Sequence, residues 1–194
     1  DGLLQAYFDL MKIPYSTCGF FESALTFNKQ ACKIHLKEYG FTVAEDVVVK
    51  KGDSYNVHTI AKKTGLPCFV KPNEGGSSFG ITKATSTDEL EKAISVAMQE
   101  DENVIIETFI EGTEVTAGVI KTSKNEYLLP PTEIDTKNDF FDYDAKYEGM
   151  ADEITPARIP DHQIKTCQKL SSGIYDILNC KGIVRIDYII KNNV

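Results

Sequence analysis

Several things are scarce or missing in this chain, and each absence narrows what it does. There is no excess of basic residues: 21 lysines and arginines stand against 29 aspartates and glutamates, for a formal net charge of -8, so a nucleic-acid footprint is not expected. No apolar run approaches the ~18 residues of a membrane span, and nothing reads as a signal peptide. The chain has no internal repeat and no low-complexity tract. Its five cysteines (Cys18, Cys32, Cys68, Cys167, Cys180) are odd in number, scattered and without a Cys-x-x-Cys pair, the pattern of free buried thiols in a reducing cytosol. His35, His58 and His162 lie far apart in sequence and are not expected to ligate a metal. What remains is the composition of a soluble globular protein, 42% hydrophobic and 26% charged over 194 residues, with room for one or two domains.

The most informative stretch runs from Val70 to Gly80. A short apolar strand, Pro67-Cys68-Phe69-Val70, delivers Lys71; then come Pro72-Asn73-Glu74-Gly75-Gly76-Ser77-Ser78-Phe79-Gly80 and a second short strand, Ile81-Thr82-Lys83-Ala84. Glycines let a backbone approach a ligand closely, consecutive loop amides form a concave anion site, and lysine brings a point charge for phosphate. Together they point to a loop that covers the phosphates of a nucleotide. It is not a Walker A loop, which ends in Gly-Lys-Ser/Thr and opens a helix, and it is not a dinucleotide fingerprint. Gly-Gly-Ser-Ser alone is what an ordinary hairpin loop contains; the preceding Val-Lys-Pro and the features downstream favour the phosphate reading.

Along the rest of the chain the periodicities predict helices over residues 1–11, 23–39, 58–64 and 86–98, with Ser86 and Glu89 as a capping box. A last helix is expected to be capped by Asp161 and to run to Leu178, with Ile164, Cys167, Ile174 and Ile177 inward. Strands are expected over residues 41–49, 103–110, 114–120 and 182–190, with another starting at Glu126. Residues 135–157 are polar and aromatic without a clear period, and a loop of that length inside a compact domain is usually functional or disordered. Helices mixed with hairpins predict an α+β fold with mostly antiparallel sheets flanked by helices. The chain starts at Asp1 without a methionine, and the strand ending at Ile190 is followed by the turn-forming Lys191-Asn192-Asn193 with no return strand; an excised fragment, truncated at both ends, is the expectation.

Four motifs occur in order: Lys71 with Gly75–Gly80; Glu107-Thr108-Phe109-Ile110-Glu111-Gly112-Thr113-Glu114; Phe141-Asp142-Tyr143-Asp144-Ala145-Lys146-Tyr147; and Arg185-Ile186-Asp187. With Asp1-Gly2 and Ala24-x-x-x-x-Lys29 they make nearly the whole chain resemble the D-alanine–D-alanine ligases of the ATP-grasp superfamily. The resemblance implies an ATP-grasp fold, with residues 1–28 as the tail of an N-terminal substrate domain, 29–110 as the central domain and 111–194 as the first part of the C-terminal domain, including an omega-type lid loop at 135–157. It implies ATP-dependent joining of two D-alanines through an acyl phosphate, for a peptidoglycan precursor, with Mg2+ or Mn2+, in the cytoplasm. The parent protein is expected as a homodimer, without nucleic-acid or membrane partners.

The family roles map onto single residues. Lys29, Lys71, Gly76 and Ser78 would hold phosphates, and Lys146 would lie near the γ phosphate. Glu107 would meet the adenine amino group, Phe109 and Ile110 would pack on the purine, and Glu114 would take the ribose hydroxyls. Ser77 and Tyr147 would help hold the glycine loop and the lid closed, excluding water from the acyl phosphate. Arg185 would stabilise the oxyanion of the tetrahedral intermediate, and Asp187 would be a magnesium ligand. The family often has tyrosine where this chain has Phe141, so a role needing that hydroxyl is lost. Physics alone reads Lys29 as a solvated helix residue, Glu107 and Glu114 as surface charge, and Arg185 with Asp187 as a surface ion pair on one strand face.

Rival readings are another ATP-grasp carboxylate–amine ligase, a D-alanine–D-lactate ligase, a non-catalytic nucleotide-binding module, and a structural or interaction protein. Tyr147 speaks against the lactate acceptor, since the family's tyrosine there goes with an amine. Ser77, Tyr147, Arg185 and Asp187 speak against a pure binding module, which needs none of them. The isolated fragment is expected to be inactive, lacking further metal ligands and the glutamate partner of Ser77.

Overall fold

A computed structural model describes residues 1–136 and 151–191. In chain order its elements are α1 (Leu3–Met11), α2 (Phe20–Phe27), α3 (Lys29–Glu38), β1 (Asp46–Lys50), α4 (Val57–Thr64), β2 (Cys68–Pro72), β3 (Thr82–Ala84), α5 (Thr87–Ala97), β4 (Asn103–Thr108), β5 (Thr113–Lys121), β6 (Glu126–Leu128), β7 (Thr132–Thr136), β8 (Ala151–Ile154), α6 (Asp161–Ile177) and β9 (Ile183–Ile190). They divide into two compact units, Leu25–Ile110 and Asp1–Ala24 with Glu111–Val194. Every ladder between these strands is antiparallel, as the α+β reading expects.

In the unit Leu25–Ile110 the sheet order is β1-β4-β2-β3. Side chains alternate across a strand, so Cys68, Val70 and Pro72 of β2 are buried on one face while Phe69 and Lys71 point to the other. The first face meets α4 and α5 in a core of Val49, Ile60, Val70, Leu90, Ile94, Val104 and Ile106. Leu90, Ala93, Ile94 and Ala97 of α5 form the helical stripe that covers it, each at most 2% exposed; a fully buried leucine or isoleucine there is worth about 1.5–3 kcal/mol. The helix starts where the sequence places its cap. Ser86 Oγ accepts from Glu89 N at 3.2 Å, and the Glu89 carboxylate accepts from Thr85 N and Thr85 Oγ1, both at 2.7 Å. The opposite face carries a row of one aromatic and three charged side chains across all four strands, because Asp46, Glu107, Phe69 and Lys83 are successive register partners.

In the other unit β5 is central. β9 pairs along one edge, from Thr113 to Ile120, while β6 takes Val119–Lys121 and β7 takes Val115–Thr116 on the other; β8 extends the sheet beyond β7. Val115, Ala117 and Val119 of β5 are at most 1% exposed and face α6, where Val115 packs with Cys167, Ala157 and Tyr188. Gly182 leads into β9 with φ +66, and a Cβ there would collide with the Ser16 carbonyl, so both its conformation and its neighbour demand glycine.

Some local expectations are corrected. The helix expected over 23–39 is two helices, because Asn28 breaks it: Asn28 is extended, forms a bridge with Glu74 and caps α3 by accepting from Ala31 N. The strand expected over 41–49 begins only at Asp46, because Gly40 and Phe41 close the end of α3 with bonds to the Lys37 and Leu36 carbonyls. Asp161 is the first residue of α6 rather than its cap; Pro160 takes the cap position without a side-chain bond. Gln163, Cys167, Ser171, Ile174 and Tyr175 are the buried side of α6, so its inward stripe is more polar than the isoleucines suggest. The stretch 135–157 enters and leaves as sheet, through β7 and β8. Among the described residues, which include all five cysteines, none is joined in a disulfide; Cys68, Cys167 and Cys180 are buried. Among the described residues no helix is long and apolar enough to cross a membrane.

Candidate active site

The glycine loop is anchored at its root by Asn73, which is 2% exposed. Its N–H donates to the Asn103 carbonyl, its own carbonyl accepts from Lys29 N, and its Oδ1 accepts from Gln30 N. The start of α3 is thereby fastened to the end of β2, and the side chain of Lys29 is aimed at the loop. Lys29 Nζ donates to the carbonyls of Pro72 at 2.9 Å, Gly75 at 3.2 Å and Asn73 at 3.4 Å. Burial pushes the Lys29 amine below its ordinary value, and the nearby charge of Lys71 pushes it further down. Lysines that repel each other beside a loop of small residues suit a polyanion.

Glu107 lies on the same face, and both of its oxygens are engaged. Lys71 Nζ is 2.6 Å from Oε2 and Lys33 Nζ is 2.6 Å from Oε1, while Lys33 also reaches Asp46 Oδ1 at 2.9 Å. Burial by itself would raise the Glu107 carboxyl, but the two lysines outweigh it and hold the group at about 2. Beside Glu107, the rings of Phe69 and Phe109 meet with centroids 5.9 Å apart and planes inclined by 53°. Lys83 Nζ stands 4.7 Å from the Phe109 centroid, a cation–π distance. Ile110 follows at the end of the unit, half-buried.

Within the loop, Ser77 and Ser78 have φ of 53 and 60, the left-handed region that side chains rarely occupy; such strain costs on the order of 1–3 kcal/mol per residue and gathers at ligand-binding loops. Gly75 and Gly80 also have positive φ, and a Cβ on Gly80 would come within 2.9 Å of Pro72 Cγ. Gly76 differs: its φ is ordinary and a Cβ there would meet nothing within 4 Å. The fold needs Gly80; nothing among the described residues requires Gly76.

The other unit carries its candidates on the sheet face opposite α6. Thr116 pairs with Asp187 and Gly118 with Arg185, while Glu114 pairs with Ile189, so Glu114, Arg185 and Asp187 share one face. Arg185 grips both Asp187 oxygens, Nε to Oδ1 at 3.0 Å and Nη2 to Oδ2 at 3.3 Å, and both side chains are more than half exposed. Asp187 is a single carboxylate already paired, and among the described residues no group of three or more histidine, cysteine, aspartate or glutamate side chains is placed to hold a metal. The described residues therefore do not make a magnesium site on their own.

Lys29, Lys71, Gly76, Ser77, Ser78, Glu107, Phe109 and Ile110 thus come together in one unit, and Glu114, Arg185 and Asp187 in the other. Lys146 and Tyr147 lie outside the described residues. Sequence reasoning missed Lys33 and Asn73. Lys33 had a signal in its position one helical turn after Lys29; Asn73 had none beyond its place after the Lys-Pro step.

Residues 32–194 match the family model described as the D-Ala D-Ala ligase C-terminus. The chain belongs to this family. It is 50% identical over 190 residues to a D-alanine–D-alanine ligase of Bacteroides fragilis, covering 98% of this chain and 59% of that protein. With a D-alanine–D-alanine ligase of Flavobacterium johnsoniae it shares 51% identity over 193 residues, 100% of this chain and 60% of the relative. The chain therefore spans about three fifths of the length of the curated relatives it matches. Among solved structures, the VanG D-Ala:D-Ser ligase from Enterococcus faecalis matches with a TM-score of 0.84 at 34% identity, over 98% of this chain and 56% of that one. The D-alanine–D-alanine ligase from Bacillus anthracis matches at 0.85 and 29%, over 100% and 62%. The fold is the ATP-grasp fold of this family.

Proposed function

We propose that the full-length gene product containing this chain is an ATP-dependent D-alanine–D-alanine ligase serving peptidoglycan precursor synthesis in the cytoplasm, and that it acts as a homodimer. The observation that carries the reading is Lys29 reaching into the glycine loop with the charge of Lys71 close by, itself held on Glu107. In the first step the γ-phosphoryl group of ATP passes to the carboxylate of one D-alanine, giving an acyl phosphate and ADP. In the second, the amine of the other D-alanine attacks the acyl carbon, phosphate leaves, and the amine loses a proton.

Phosphoryl transfer depends on positioning and charge neutralisation. We assign phosphate contacts to Lys29, Lys71, Gly76 and Ser78, and to Lys146 at the γ phosphate. Glu107, Phe109 and Ile110 receive the adenine, and Glu114 the ribose. Ser77 and Tyr147 keep the loop and the 135–157 segment over the acyl phosphate. Arg185 faces the tetrahedral oxyanion, for which it must loosen its grip on Asp187; Asp187 offers one carboxylate toward magnesium. The proposed domain division remains 1–28, 29–110 and 111–194.

The test is ADP release by the full-length gene product with ATP and magnesium, with and without D-alanine, and with D-lactate or D-serine offered beside D-alanine. Strong dependence on D-alanine alone is expected. ADP release that ignores D-alanine would overturn the assignment, and preferential use of D-serine or D-lactate would correct the second substrate.

A further inference from the structure

The roles assigned above leave Lys33 unused, yet it is among the more enclosed charges of its unit. Its side chain is 11% exposed, and its amine sits between Asp46 Oδ1 at 2.9 Å and Glu107 Oε1 at 2.6 Å. Lys71 holds the other Glu107 oxygen at 2.6 Å and is more open, at 24%. The two lysines are therefore not equivalent. Lys33 is locked by two carboxylates on β1 and β4; Lys71 has one carboxylate and leans over the Phe69 ring, 5.4 Å from its centroid.

A phosphate arriving at the glycine loop must compete with Glu107 for Lys71. With Lys71 as its sole cation, Glu107 would be stranded by that exchange, and its side chain is only 13% exposed; a buried carboxylate without a partner is strongly disfavoured. Lys33 removes that penalty, because it keeps Oε1 in a charge-assisted bond whichever partner Lys71 takes. Asp46 in turn keeps Lys33 neutralised when Glu107 turns an oxygen to a ligand. We propose that Lys33 is a positioning residue for nucleotide binding, which holds Glu107 on β4 and so lets Lys71 exchange that carboxylate for a phosphate. The inference rests on the reading that this face binds ATP.

The experiment is a double-mutant cycle on the full-length gene product. ATP dissociation constants are measured for the wild type, Lys33→Met, Glu107→Gln and the double variant, with kcat and KM for ATP alongside and melting temperatures as a check of folding. Lys33→Met is expected to weaken ATP binding about tenfold, the size set by losing one hydrogen bond to a buried charge. It should raise KM more than it lowers kcat, and Lys33→Arg should recover most of the loss. In the Glu107→Gln background Lys33→Met is expected to change ATP affinity less than about twofold. Equal losses in both backgrounds would overturn the proposal, since Lys33 would then act independently of Glu107, and so would unchanged affinity in Lys33→Met. If Lys33→Met fails to fold, Lys33→Gln takes its place under the same criteria. A folded wild type that binds no ATP would defeat the underlying reading together with this one, whereas ATP binding with additive losses defeats only the role of Lys33.

Discussion

Glu107→Gln is the most direct test of the electrostatics at this site, because it removes the charge and keeps the shape. The folded carboxyl sits at about 2 against an ordinary 4.5, so its ionised form is favoured by contacts that exist only in the native state. At pH 7 such a depression corresponds to about 3 kcal/mol of stability. The folded value lies below the unfolded one, so the contribution is complete above pH 4.5 and disappears as the pH falls toward 2. By pH 3 less than half of it is left, and the stability gap between wild type and variant should narrow by about 2 kcal/mol between pH 7 and pH 3. Urea unfolding followed by circular dichroism at several pH values in this range measures the gap, and the carboxyls common to both proteins cancel from it. A gap that stays constant, or widens toward low pH, would refute the argument that Lys33 and Lys71 hold Glu107 in its ionised form.

Further outcomes follow from the loop and from the second unit. Gly76→Ala should leave the melting temperature within about a degree or two while weakening ATP binding, since its Cβ points into open space; Gly80→Ala should destabilise by more than 1 kcal/mol, because φ is +68 and the new Cβ crowds Pro72. Thermal melts paired with ATP titrations separate the two. Arg158→Met should lower the melting temperature, because it frees the buried Glu133 carboxylate from contacts at 2.7 and 3.1 Å. Hydrogen bonding to Arg158 holds the Glu133 carboxyl below its ordinary range, so the loss should be larger at pH 7 than at pH 3, as parallel melts would show.

Much of this fold was legible in local pattern. The stripe Leu90, Ala93, Ile94, Ala97, with Ser86 and Glu89 before it, fixed a helix because both the period and the cap are properties of adjacent residues. The alternation Val184, Arg185, Ile186, Asp187 likewise placed the two charges on one strand face. What was not legible depends on partners distant in sequence. Asn28 breaks a helix pattern because Glu74 is there to pair with it. β7 and β8 support each other as antiparallel neighbours, although neither has a strong period of its own. Lys33 looks like any solvated helical lysine until β1 and β4 bring Asp46 and Glu107 to its amine.

The same distinction separates the residues that build the candidate site from those that await a ligand. Asn73, Lys33, Asp46 and Gly80 are each explained by atoms of this chain: hydrogen bonds, ion pairs and a contact that admits no Cβ. Gly76 is not so explained, and Lys29 and Lys71 are explained only in part: loop-root carbonyls hold Lys29 and Glu107 holds Lys71, yet burial and the charge of Lys71 lower the Lys29 amine. A structure optimised for stability alone has little reason to keep like charges beside a strained loop. The features that folding leaves unexplained lie together around the loop, and the nucleoside triphosphate proposed for this site would account for them jointly: its negative charge would relieve the lysines, and close approach of its oxygens to the backbone would give the missing Cβ at Gly76 a purpose.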